Sequence, residues 1–230
     1  MSSLRSLRSP MTVGVAMLVA VSCRTRTEAV RTHMQEHFTQ AGLVHAAVVA
    51  GDLAAVAAPA RWIAEHDPVD APASWDPYIS TMRREASVLL TASDIEAAAA
   101  SAASLIRTCG DCHGSLSEGV TFTASPGPIP EPGAVPHMRR HNWAAERMWE
   151  GLAMPSVEAW NQGAAALDEA PLTAEELNAE PEVTALAQHV HDLGRAATAA
   201  LTWRARTDVY GQLIATCAAC HQQLRTAATQ

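Results

Sequence analysis

Two runs in the sequence hold residue types that can do chemistry together: Cys109-Gly110-Asp111-Cys112-His113 and Cys217-Ala218-Ala219-Cys220-His221. Each is a Cys-x-x-Cys-His run, the attachment signature of c-type haem. Thiols three residues apart lie on neighbouring turns of a helix, so both can form thioether links to the vinyl groups of one porphyrin. The imidazole that follows is placed to ligate the iron from the same side, as a proximal ligand. The expected cofactor is haem c at each run, with His113 and His221 as the iron ligands.

Other chemistries use paired cysteines. A thioredoxin-type redox pair expects a βαβ context, and none is visible here. A tetrahedral zinc site usually gathers its cysteines in close-set knuckles of a short domain. Here the two pairs stand 108 residues apart, and each carries a histidine that zinc does not require. Disulfides remain compatible with an exported chain.

The elements that must position these runs are helices. Alanine is abundant, aromatic residues make up 4% of the chain, and β-branched runs that mark strands are nearly absent. Alanine loses no side-chain entropy in a helix. From Thr27 to Gly51, Val30, Met34, His37 or Phe38, Ala41, Val44 and Val48 recur at helical spacing. Gly51-Asp52 reads as a stop and a new N-cap, opening a second helix to about Glu65 with Pro59 inside it. Asp76-Pro77 opens a third helix. Ser93-x-x-Glu96 reads as a capping box for a fourth, which ends in the first haem motif.

Residues 125–136 hold five prolines and two glycines and read as a semi-rigid linker. Beyond it the pattern repeats. His137-Met138-Arg139-Arg140-His141 echoes His33-Met34-Gln35-Glu36-His37 at an offset of 104, and the second haem motif echoes the first at 108. Pro155-Ser156 stands where Gly51-Asp52 stood, Thr173-x-x-Glu176 is a second capping box, and Pro181 opens a long helix toward Trp203. A last helix from near Thr207 carries the second motif. The expected fold is all-α, two tandem antiparallel four-helix bundles over 27–118 and 137–230, each ending in a haem-attachment helix. A repeat of this length is a duplicated domain rather than a solenoid.

The sixth position of each iron decides its chemistry. Met34, His37, Met138 and His141 are the candidate distal ligands, since each Met and His pair lies three apart on one helix face and the set recurs in both halves. Methionine would raise the potential and favour electron transfer, histidine would also close the site, and neither would leave a gas-binding iron. His33, His137, His189 and His191 read as surface residues. Arg83, Arg84, Arg107, Arg204 and Arg206 are available to haem propionates, though solvated helix surface is the plainer reading of each. Trp143, Trp149 and Trp160 read as core.

The ends and the charge set the setting. Residues 1–22 read as a secretory signal, with Arg5 and Arg8 before an apolar run of 11 residues, Met11 to Val21. That run is shorter than the about 20 residues a membrane-spanning helix needs. Cys23, the cysteine left over from the haem pairs, follows a stretch similar to a bacterial lipoprotein cleavage site, although Ala20 stands where leucine is usual. An exported, periplasmic chain with a lipid anchor at Cys23 is therefore expected. The formal charge of −8 argues against nucleic acid and for redox partners with a basic docking patch.

On these residues the chain resembles the cytochrome c-prime superfamily, four-helix bundles with Cys-x-x-Cys-His near the end of the last helix. The resemblance covers about Thr27 to Leu116 and Pro136 to Leu224, and Met34-Gln35-Glu36-His37-Phe38 is similar to a first-helix segment of that family. It implies thioether links at Cys109, Cys112, Cys217 and Cys220, proximal His113 and His221, and a distal residue from the first helix. Duplication in one chain departs from the family's usual homodimer, so the two units are expected to pack on each other. The function expected is a dihaem cytochrome passing single electrons. The alternative is a five-coordinate haem that binds or senses NO or CO, and a peroxidase ranks third for want of a committed acid–base group.

Overall fold

The computed structural model describes residues 11–67, 71–116, 126–169, 171–177 and 180–228, with the backbone alone at 11–27 and 227–228. Among the described residues all regular structure is helical: α1 (Met11–Val49), α2 (Leu53–Glu65), α3 (Asp76–Leu89), α4 (Ile95–Leu116), α5 (Ala134–Ala153), α6 (Val157–Leu167), a single turn α7 (Ala174–Leu177), α8 (Pro181–Ala199) and α9 (Trp203–Ala228), with a 3₁₀ turn at Ala73–Trp75.

Local chemistry explains the boundaries. Gly51 has φ +67°. Its N–H donates to Val48 O (2.8 Å) and that of Asp52 to Ala47 O (2.9 Å), a pairing that satisfies the end of α1. Asp52 then accepts from Ala55 N at 3.0 Å to start α2. At the same offset of 104, Ser156 accepts from Ala159 N at 3.1 Å to start α6. The Thr173–Glu176 box forms reciprocally, with Thr173 N to Glu176 Oε2 at 2.9 Å and Glu176 N to Thr173 Oγ1 at 3.2 Å.

Several boundaries differ from the sequence reading. Asp94, not Ser93, caps α4, accepting from Ala97 N at 2.8 Å while Ser93 Oγ donates to its other oxygen. The carboxylate is the stronger acceptor and sits one residue nearer the helix. α5 takes Pro136 into its first turn and α9 begins at Trp203 rather than Thr207, while α2 runs to Glu65 with Pro59 inside it, as expected. α1 already covers Met11 to Thr27, upstream of the start expected at Thr27, and no proline falls between Pro10 and Pro59 to interrupt it. Residues 1–10 of the signal reading, and the side chain of Cys23, lie outside the described residues. No helix among those described is long and apolar enough to cross a membrane.

In the first half α1 packs on α2, α2 on α3, α3 on α4 and α4 on α1; in the second, α5, α6, α8 and α9 close the same circuit. Short connections make successive helices antiparallel neighbours. The halves also pack on each other, α4 against α9 and α5, and α9 against α1. One buried core runs through both, including Val44, Ile63, Leu105 and Ile106 from the first and Met148, Trp160, Leu213 and Ile214 from the second. At its centre the buried Tyr210 hydroxyl donates to Ala145 O (2.9 Å) and lies 2.8 Å from His45 Nε2, tying α9 to α5 and α1.

α4 and α9 run antiparallel. A Cβ on Gly211 would sit 3.3 Å from Ala100, while the Arg107 guanidinium lies 5.3 Å above the Trp203 ring. That register places the two Cys-x-x-Cys-His runs at opposite poles of the helix pair, about 30 Å apart at 1.5 Å of rise per residue.

Candidate functional site

The first motif fills the last two turns of α4, and the second lies two turns before the end of α9. None of the four motif cysteines is in a disulfide, and each is half-exposed as a residue. The Cys109 and Cys217 thiols are themselves buried and pushed up to about 12, first by burial and then by the neighbouring Cys112 and Cys220. Such thiols stay protonated at neutral pH in the absence of a bound group.

The two imidazoles are held alike. His113 Nδ1 lies 2.8 Å from Ala153 O, and His221 Nδ1 lies 2.7 Å from Val49 O. Ala153 and Val49 are the last residues of α5 and α1, where helix carbonyls lack an intrahelical partner. A carbonyl can only accept, so Nδ1 carries the proton and Nε2 is left with a lone pair. That tautomer is the one a metal-ligating histidine needs. The residues therefore fit a haem iron at both motifs.

Each anchor comes from the other half of the chain. His113 on α4 is held by the end of α5, and His221 on α9 by the end of α1. Gln222 Nε2 donates to Gly51 O (3.0 Å) and the Arg225 guanidinium to Ala50 O (2.6 Å), so α9 caps three successive carbonyls of α1. At the first pole the approach is closer: a Cβ on Gly110, inside the motif, would sit 2.0 Å from Leu152 O.

The first-helix candidates divide by side chain. Met34 and Met138 are 36% and 40% exposed, and Met138 lines a surface hollow of about 450 Å³ with Val135, Arg139 and Asn142. His37 and His141 instead turn inward, each into a group of three imidazoles whose ligand atoms lie within 4.8 Å of one another: His33, His37 and His66, and His137, His141 and His191. Burial, then the neighbouring imidazoles, lowers His37 to about 4 and His141 to about 3. His37 stands about 18 Å of helix rise from Val49, so each group shares a pole with the motif of its own half.

Three residues read as surface are not. His33, His137 and His191 are buried, because the helix ends close over them. His191 was masked in sequence because its place corresponds to His66 in space but not in chain order. His66 follows α2, whereas His191 reaches from α8 to the end of α6, its Nδ1 donating to Leu167 O at 2.8 Å. His189 is exposed as expected.

Of the arginines, Arg84 and Arg204 are exposed, while Arg83 is committed to His66 O (2.6 Å) and Asp67. Arg107 pairs with Asp111, and the buried Arg206 donates to Ala200 O and stacks on Trp203 and Trp160. Trp149 and Trp160 are buried and Trp143 partly so, as read. In comparisons with known proteins the chain matches no family model, no curated protein and no solved structure.

Proposed function

We propose that the chain is a dihaem c-type cytochrome, two tandem antiparallel four-helix bundles of the cytochrome c-prime type, that passes single electrons between redox protein partners. The observation that carries this reading is the matched tautomer of His113 and His221, each with Nδ1 engaged by an orphan helix-end carbonyl. Bound haem would supply a one-electron iron couple, covalently fixed through Cys109 and Cys112 and through Cys217 and Cys220. Nδ1–H donation to Ala153 O and Val49 O orients each ring and strengthens Nε2 as a ligand. The packing of α4 on α9 holds the motifs rigidly at opposite poles, so each pole serves its own partner surface and the acidic chain favours basic partners. Export to the periplasm with an anchor at Cys23 belongs to the same reading.

A second reading has one specific observation in its favour. Met34 and Met138 are exposed and His37 and His141 are grouped with other imidazoles, which leaves an iron free to take NO or CO. Optical spectra of the oxidised and reduced protein, with and without CO, separate the two. Low-spin haem that ignores CO supports electron transfer; a high-spin spectrum that shifts with CO supports gas binding.

A further inference from the structure

Within the second imidazole group most of the donor atoms are gathered without a partner, while His137 Nδ1 lies 3.4 Å from the Arg140 guanidinium. His141 Nε2, His191 Nε2 and Glu169 Oε1 are buried atoms without a hydrogen-bond partner, and an orphaned buried polar atom is destabilising unless something satisfies it. Glu169 Oε1 lies 3.3 Å from His137 Nδ1 and 3.8 Å from His141 Nε2. Three imidazoles from α5 and α8 thus share one cluster, and a carboxylate from the turn after α6 borders it at His137 and His141.

The surrounding bonds aim these donors inward. Arg140 donates from Nε (2.9 Å) and from its terminal nitrogen (2.5 Å) to Glu169 Oε2, leaving Oε1 toward the imidazoles. His191 is fully buried, and Leu167 O engages its Nδ1 and leaves Nε2 free. Outer partners of this kind are what orient metal ligands. Imidazoles with a carboxylate suit zinc and its transition-metal neighbours. Zinc with nitrogen ligands at 2.0–2.1 Å needs donors about 3.3 Å apart, a modest contraction from the 4.8 Å that spans the three imidazoles.

We propose that His137, His141, His191 and Glu169 form a binding site for a divalent transition-metal ion such as Zn²⁺, separate from the haem irons. His141 then serves this ion and is not a haem ligand. The first group differs in its carboxylates: among the described residues no Asp or Glu lies within ion-pair distance of His33, His37 or His66, whereas Glu169 does so at His137 and His141. The site does not depend on haem attachment, and its test reads metal content rather than colour.

The test is equilibrium dialysis of the full-length, haem-loaded protein against Zn²⁺ after chelator treatment, with metal counted by mass spectrometry and the zinc shell read by X-ray absorption. The expected result is one tightly held zinc per chain with only nitrogen and oxygen neighbours. His191→Ala should lose it, Glu169→Gln should bind at least tenfold more weakly, and the exposed His189→Ala should bind as the parent does. The haem spectrum of each variant checks folding, and Glu169→Gln keeps the test alive where His191→Ala fails to fold. Equal zinc in parent and Glu169→Gln, sulfur neighbours near 2.3 Å, or a haem spectrum that changes on His141→Ala would each overturn the site. A colourless protein that still binds one zinc through nitrogen and oxygen would remove the cytochrome reading and keep this one.

Discussion

His221 Nδ1 lies 2.7 Å from the carbonyl oxygen of Val49, a contact that joins the last helix of the chain to the end of the first. Its counterpart joins His113 to Ala153. The duplicated halves thus exchange anchors: each supplies the hydrogen bond that sets the tautomer of the other's candidate iron ligand. The poles nevertheless stand about 30 Å apart along the helix pair.

On the dihaem proposal, that separation would make the two haems independent chromophores. Cys217→Ser with Cys220→Ser should remove one haem and leave the spectrum and midpoint potential of the other unchanged, as read by optical redox titration. A large shift in the remaining potential would contradict the placement at opposite poles.

Gly110→Ala isolates the contact between halves from the chemistry of attachment. The second motif already carries Ala218 at the equivalent place, so alanine is compatible with the attachment run. At Gly110, however, the new Cβ would press on Leu152 O at 2.0 Å. Overpacking of this kind costs about 1–3 kcal/mol. Urea unfolding should show that loss with the haem count intact; unchanged stability would mean α4 and α5 do not approach so closely.

Tyr210→Phe removes the hydroxyl that binds Ala145 O and His45 Nε2 in the core. Leaving these buried groups unpaired should cost about 1–3 kcal/mol, measured as a lower urea midpoint at constant slope. No change would place that hydroxyl in water.

Acid should weaken the fold through His45. Burial lowers it from 6.5 to about 4, and its ring faces only Trp149 and Tyr210 among the ring contacts described. The folded ring is neutral while the unfolded ring takes a proton below pH 6.5, so its contribution is whole above that value and is lost between pH 6.5 and about 4. His45→Gln should flatten stability against pH across this window. An unaltered slope would assign the acid sensitivity elsewhere.

Much of this was legible in the residues. The helix order, the repeat at offset 104 and the caps at Asp52 and Ser156 follow from local chemistry, which a sequence displays directly. The exchange of anchors was not, because His221 and Val49 are 172 residues apart and neither carries a spacing signal. The same holds for Glu169 and His191, which meet His141 only through the packing of α6 against α5 and of α8 against α6. Helical periodicity also misplaced His33 and His137, since burial at a helix end depends on neighbouring helices rather than on the helix's own apolar face.

The central claim is that both Cys-x-x-Cys-His runs carry covalent haem. A pyridine haemochrome assay with intact mass on protein matured in a host that attaches haem c tests it most directly. The account predicts two haems per chain, both retained on acid–acetone extraction and lost pairwise with Cys109/Cys112 and Cys217/Cys220. A colourless protein of bare polypeptide mass from that host would contradict it.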